Sequence, residues 1–111
     1  MGWIGVDFDG TLAHQQAGMS FDRCGSPVPK MVARVKQWLA VGYDVRVFTA
    51  RVGFRGEEDQ QRKIIGDWCD KHVGKRLPVT NVKDGQMIQL WDDRAVQIIH
   101  NTGERADGQD D

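Results

Sequence analysis

Residues 3–12 read W-I-G-V-D-F-D-G-T-L: an apolar run, Trp3, Ile4 and Val6, that delivers Asp7 and Asp9 into a glycine turn. The run is short, bounded by glycine and partly β-branched, which predicts a buried strand. Carboxylates at the end of a buried strand cost free energy unless a cation or hydrogen-bond donors compensate them. Side chains alternate along a strand, so Asp7 and Asp9 share one side only while the backbone stays extended. Gly10 ends that regularity and can open both groups at the strand's mouth. Such a pair is compatible with a surface Asp-x-Asp turn, a calcium loop, or a catalytic Mg²⁺ and phosphate site. A calcium loop of EF-hand type needs glycine at its sixth position and an acid at its twelfth. Counted from Asp7 these are Leu12 and Gly18, so that reading fails.

Composition sets the outer limits. A chain of 111 residues suits one domain with one modest core. Hydrophobic content of 40% and charged content of 28% are those of an ordinary globular protein. A net charge of −1 gives no global footprint for nucleic acid or an anionic membrane. No apolar run approaches the roughly 20 residues that span a bilayer, and the N-terminus lacks the basic and apolar regions of a secretory signal. Gly2 makes no myristoylation motif, since Val6 stands where Ser or Thr is wanted. Cys24 and Cys69 form no CxxC or zinc pattern and read as reduced structural thiols, so a cytoplasmic location is expected. Residues 1–102 are expected to form the single domain and 103–111 a polar, flexible tail.

From Leu12 to Pro29 the chain is polar and without periodicity, a loop or flap beside the first strand's mouth, and His14 within it reads as a solvated loop histidine. Pro29 suits the first position of a helix. Met31, Val32, Val35, Trp38 and Leu39 then follow a helical stripe to a stop at Gly42. Val45–Phe48 predicts a second strand that ends in Thr49-Ala50-Arg51. Gly53–Gly56 reads as a loop. Glu57, Glu58 and Asp59 then start a second helix, with acids favourable to its dipole, a buried stripe of Ile64, Ile65, Trp68 and Cys69, and a stop at Gly74. Pro78–Val82 is a short third strand, Lys83-Asp84-Gly85 a turn, and Met87–Trp91 a strand ending in Asp92-Asp93-Arg94. Val96–Ile99 predicts one more strand, with Asn101-Thr102-Gly103 as its exit. The strand–helix–strand–helix order implies an α/β fold with a mainly parallel sheet and flanking helices.

Polar groups stand at the ends of these apolar segments: Asp7 with Asp9, Thr49, Lys83, and Asp92 with Asp93. In parallel α/β sheets, sites gather outside the carboxyl ends of strands. Carboxylates from two strands can hold Mg²⁺, a hard cation that prefers oxygen ligands. The ion offsets repulsion between the acids and neutralises a substrate phosphoryl group. One carboxylate can then attack phosphorus, and a second can protonate the leaving oxygen and later activate water.

V-D-F-D-G-T-L, the strand end V-F-T-A-R, a lysine before the last core strand, and W-D-D-R-A together resemble the haloacid dehalogenase superfamily, in its small phosphatase members. The resemblance covers nearly the whole chain in the family's order. It implies a small Rossmann-like fold and a Mg²⁺-dependent phosphomonoester hydrolase working through an aspartyl phosphate. Catalytic roles fall to Asp7 (nucleophile), Asp9 (general acid and base), Thr49 (phosphate) and Lys83 (charge on the nucleophile and phosphoryl group). Metal ligands would be the Asp7 carboxylate, the Asp9 main-chain carbonyl and Asp92, with Asp93 as a supporting or additional ligand, and substrate contacts Gly10, Thr11, Ala50 and Arg51. The family's P-type ATPases carry threonine where Asp9 stands, and its dehalogenases also lack this acid, so Asp9 argues for phosphomonoester hydrolysis.

Two departures from the family pattern follow. No interval has room for a cap domain, which implies an open site that admits large or chain-end phosphates. Lys83–Met87 is also too short for a helical crossover, so either the Pro78 segment is not a full parallel strand or Lys71 or Lys75 supplies the cation. Both helices should then lie on one face of the sheet. The other, where Arg46 and Gln89 fit a half-buried environment, would be exposed or form a homodimer contact. Arg51, Arg55, Arg62 and Lys63 read either as a basic rim or as a solvated helix face. With the late D-D-R, similar to polynucleotide 3′-phosphatase domains, a rim would favour a nucleotide or a nucleic-acid 3′-phosphate end. The competing functions are a phospho-accepting signalling module, whose acceptor acid would follow a mid-chain strand that here ends in Thr49, and a catalytically idle binding protein of the same fold.

Overall fold

The computed structural model describes residues 2–109. β1 (Trp3–Val6) is buried along its whole length. It is an inner strand of a four-stranded sheet ordered β3-β2-β1-β4, in which β2 is Asp44–Phe48, β3 Val79–Thr80 and β4 Met87–Trp91. All three pairings are parallel. A strand flanked on both sides needs apolar side chains on both faces, which is why W-I-G-V contains no polar residue.

α1 (Pro29–Ala40) starts with its proline in the first turn, buries Met31, Val32 and Val35, and gives way to Gly42 at φ +94°. α2 (Glu58–His72) carries Glu58 and Asp59 in its first turn and Lys71 and His72 in its last, charges that complement the helix dipole at both ends. Both helices pack on the face of the sheet that carries Ile4, Val6, Val45, Val47 and Val79. Phe8, just past β1, meets Trp68 of α2 edge-on at 5.0 Å. Trp38 of α1 reaches Trp91 of β4 at 5.1 Å. Between β1 and α1 the loop is drawn closed at its base, where His14 N–H donates to the Ser26 carbonyl and Val28 N–H to that of Leu12. His14 itself is exposed.

The opposite face has no helix among the described residues. Trp3 lies there, buried by the link that joins β3 to β4 across the width of the sheet: its indole Nε1–H donates to Asp84 Oδ1 at 2.9 Å, and its backbone N–H to the Gln86 carbonyl at 2.9 Å. Arg46 covers the same ring, its guanidinium carbon 4.7 Å from the centroid. Gly5 leaves the space that Met87 and Trp3 fill, since a Cβ there would stand 2.8 Å from Met87 Cε. Gln89, expected on this face with Arg46, pairs with Ile4 and so points to the helix side. It stays exposed at the edge and accepts from Trp91 Nε1–H.

Two expected strands are shorter or absent. The Pro78 segment contributes only Val79 and Thr80 to the sheet, which is how a helix-free link suffices after it. Val96–Ile99 does not join the sheet. Ile98 makes an isolated antiparallel bridge with Arg105, Ile99 N–H donates to the Glu104 carbonyl, and Ala106 N–H to that of Gln97. This apolar run therefore closes a local turn with the residues read as tail, and Val96, Ile98 and Ile99 remain about half exposed. The last two positions of that tail lie outside the described residues. No helix among the described residues is long and apolar enough to cross a membrane.

The contrast between core and turn is measurable in urea. Ile65→Ala, at a fully buried position of α2, should cost about 2–5 kcal/mol, and Ile98→Ala no more than about 0.5 kcal/mol. A comparable loss for Ile98→Ala would mean that the 96–99 segment belongs to the core.

Candidate active site

β1 and β4 run parallel side by side, so their carboxyl ends coincide. Asp7 N–H donates to the Trp91 carbonyl at 2.8 Å, which carries the ladder one residue beyond β1 and sets Asp7 beside Asp92 and Asp93. Carboxylate oxygens of Asp7, Asp92 and Asp93 all lie within 4.8 Å of one another. The turn after β1 is shaped to admit the last of these. Gly10 has φ +85°, and a Cβ there would stand 2.8 Å from Asp93 Oδ2, so glycine is needed for conformation and for space. Thr11 ties the two strand ends together. Its Oγ1 accepts from Asp93 N–H at 3.1 Å and has its own proton to share between Asp93 Oδ1 at 3.1 Å and Asp7 Oδ2 at 3.3 Å. The amides of Gly10 and Thr11, both expected to contact substrate, are spent inside the turn on the carbonyls of Ala13 and Phe8.

This crowding shows in the acidity of Asp7. Burial first, then a hydrogen bond with Asp93, then the charges of Asp92 and Asp93 push its carboxyl from 3.8 up to about 7, against a backbone hydrogen bond from Phe8. The folded state therefore binds this proton more tightly than the unfolded chain does. Its contribution to stability is full below about 4 and is lost as pH rises through about 7, in the absence of a neutralising cation.

Asp9 belongs to a different arrangement. Both of its oxygens are held by Arg51, Nε to Oδ2 at 2.8 Å and an Nη2 to Oδ1 at 2.8 Å, in the forked geometry that suits a guanidinium and a carboxylate. Arg51 is only 1% exposed. Its remaining donors go to the carbonyls of Phe21 and Arg23 and to Gln61 Oε1. Gln61, buried on α2, returns its own amide to the Phe21 carbonyl at 2.7 Å. The family resemblance implies a substrate contact for Arg51. With its donors committed, it instead fixes Asp9 and binds the 21–23 loop to α2. The side chain of Asp9, expected as the general acid and base, is thus bound to Arg51 and is not one of the three carboxylates that converge; the metal contact expected of Asp9 is through its main-chain carbonyl.

Asp7, Asp9 and Asp92 open into one cavity of about 420 Å³, with Thr49, Ala50 and Arg51 from the end of β2 on the facing wall. Thr49 is buried, and its Oγ1 accepts from Arg51 N–H at 3.2 Å, capping the short 3₁₀ turn of Ala50–Gly53. The hydroxyl proton is left to donate. No lysine among the described residues lines this cavity. Lys83 is exposed on the β3–β4 link and lines the adjoining depression with Trp91 and Asp92, and Lys71 lies in another beside Cys24 and His72. Arg94, the arginine of the late D-D-R, does line it. Its backbone N–H donates to Asp92 Oδ1 at 2.7 Å, so the residue that fixes the acid also lines the site. Arg62 and Lys63 are elsewhere, over a depression walled by Asp67 and Arg76, which makes them a solvated helix face and not a rim.

Comparisons with protein-family models, curated proteins and solved structures return no match to this chain. The site must be judged on its own chemistry. Three carboxylates from two strand ends, close enough to raise the proton affinity of one of them, fit a hard divalent cation such as Mg²⁺ that takes oxygen ligands. Asp7, Asp92 and Asp93 are the side chains that would hold it.

The Asp9–Arg51 pair carries its own test. Arg51→Met leaves a nearly buried carboxylate without its partner and should cost about 3–5 kcal/mol in urea unfolding. Arg51→Lys should recover little, because an ammonium cannot reproduce a forked, five-donor contact. A loss under about 1 kcal/mol for Arg51→Met would show the pair to behave as an exposed surface bridge.

Proposed function

We propose that this chain is a Mg²⁺-dependent phosphomonoester hydrolase of the haloacid dehalogenase type, Rossmann-like and capless, acting through an aspartyl phosphate on Asp7. The observation that carries the reading is the convergence, in one cavity, of Asp7 from the crowded carboxylate cluster and Asp9 from the arginine-held one. The sequence resemblance of V-D-F-D-G-T-L and W-D-D-R-A supports it. The cation, held by Asp7, Asp92 and Asp93, would supply charge neutralisation for the phosphoryl oxygens and for the cluster itself.

In the first step a carboxylate oxygen of Asp7 attacks phosphorus, the bond from phosphorus to the leaving oxygen breaks, and Asp9 gives that oxygen its proton. In the second, water attacks the aspartyl phosphate as Asp9 takes a proton from it, releasing phosphate and restoring Asp7. Both oxygens of Asp9 are bound to Arg51, so acid–base work requires the carboxyl to give up one arm of that fork while the other keeps it oriented. Thr49 donates its hydroxyl to a phosphoryl oxygen, and Arg94 takes the cationic role that the sequence reading gave to Lys83.

Phosphate release from an aryl phosphate tests this directly. Turnover should require Mg²⁺ and fall by about 10³-fold or more in Asp7→Asn. Asp9→Asn should lose about 10²–10⁴-fold. Arg94→Ala should raise KM far more than Lys83→Ala does. Mg²⁺ binding without Asp7-dependent turnover of any phosphomonoester would leave the idle binding protein as the function.

A further inference from the structure

The acids occupy only part of the cavity; its volume of about 420 Å³ is far more than a phosphoryl group needs. Much of the remaining lining is apolar. Phe21, from the loop after β1, and Phe54, from the end of the 3₁₀ turn, line the same cavity with ring centroids 4.9 Å apart and planes 34° from parallel. Yet they stay 40% and 36% exposed. Large rings left in water forgo the free energy that burial would give them, so this pair is not explained by the core. Nor is it loose. The Phe21 carbonyl is held by the buried side chains of Arg51 and Gln61, and the Arg51 guanidinium lies 4.9 Å from the Phe21 ring. The same arginine that fixes Asp9 thus fixes the aromatic wall relative to it.

Charge narrows the class of ligand. The arginines lining the cavity are Arg51, committed to Asp9, and Arg94. One available guanidinium among several carboxylates suits a single phosphoryl group and opposes a polyphosphate or a phosphate-rich strand threaded through the site. A sugar phosphate would want several hydroxyl partners, whereas the lining apart from the charged residues is Phe21, Phe48, Ala50 and Phe54, with Gln15 and Thr49 as the polar exceptions. A planar, weakly polar group is what such a wall accepts.

We propose that Phe21 and Phe54 form a base-stacking platform, and that the substrate is a nucleoside monophosphate unit, free or at the end of a single strand. This rests on the phosphatase reading for the fate of the phosphoryl group, but the stacking itself does not.

Steady-state kinetics with Mg²⁺ on adenosine 3′- and 5′-monophosphates, an oligonucleotide with a 3′-phosphate, and ring-less glycerol 3-phosphate would test it. The double variant Phe21→Leu/Phe54→Leu keeps apolar volume but no ring. It should raise KM for the nucleotide by about ten-fold, the scale of one lost base stack, and change the kinetics on glycerol 3-phosphate much less. Phe54→Trp should retain the nucleotide KM. The higher kcat/KM between mononucleotide and oligonucleotide identifies the source of the unit, and either result supports the platform. An equal change on glycerol 3-phosphate would make the rings a structural contact, and a native enzyme with no preference for the nucleotide over glycerol 3-phosphate would also overturn the proposal. Calorimetric titration of Asp7→Asn with adenosine 3′-monophosphate separates the two layers. Ring-dependent binding without turnover in the native protein would reject the phosphatase and keep the platform, and no ring-dependent binding would reject the platform whatever the turnover.

Discussion

Mutual repulsion among Asp7, Asp92 and Asp93 is the constraint on which the rest of this structure turns. Carboxylates confined within 4.8 Å of one another cannot all ionise cheaply, and here the half-buried Asp7 holds its proton up to about 7. Local devices keep them together in spite of this. The parallel β1–β4 ladder continues to the Asp7 amide, the Gly10 turn makes room for Asp93, and the Thr11 hydroxyl bridges the two strand ends. A chain selected only for stability would gain from replacing one of these acids. Their convergence lies at the carboxyl end of a parallel sheet, where sites gather in such folds, and it supports the proposal that they receive a positive charge.

Asp9 shows the complementary solution. Only one residue separates it from Asp7, yet the turn at Gly10 sends its carboxylate into the forked grip of a buried arginine, so its charge is compensated from within the chain. A buried pair of this kind is weak evidence for stability in itself, because desolvation takes back much of the Coulomb gain. What it provides is position. Arg51 gathers Asp9, the 21–23 loop and, through Gln61, helix α2 into one unit. The acid and the aromatic wall are therefore located by a single side chain.

Much of this was legible in the sequence, and the parts that were not share a cause. Period and punctuation placed α1, α2, β1, β2 and β4 to within a residue or two, since proline, glycine and apolar stripes act locally. Both acid pairs were visible as polar groups at the ends of apolar runs. Periodicity does not show where a short link travels, so Lys83 was assigned a place in the site when the β3–β4 link leaves it in the neighbouring depression. Nor does it distinguish a run that joins a sheet from one that folds on a nearby partner, as 96–99 does with Glu104 and Ala106. Arg51 looked like a substrate contact because its burial is a tertiary fact. One signal was available: Gln61 falls one turn before Ile65 on the buried stripe of α2, and a polar group on such a stripe demands a partner. Arg94 could have been found from its position two residues after Asp92, where its amide caps that carboxylate.

Thermal unfolding of the native chain and Asp7→Asn between pH 4 and 8, in chelator and in Mg²⁺, is the most direct test of the carboxylate cluster as a cation site. In chelator the native midpoint should fall relative to Asp7→Asn as pH rises through about 7. Mg²⁺ should restore it at pH 8, with a smaller effect on the variant. Midpoints that run parallel across this range, with no response to Mg²⁺ in the native chain, would contradict a cation site at Asp7, Asp92 and Asp93.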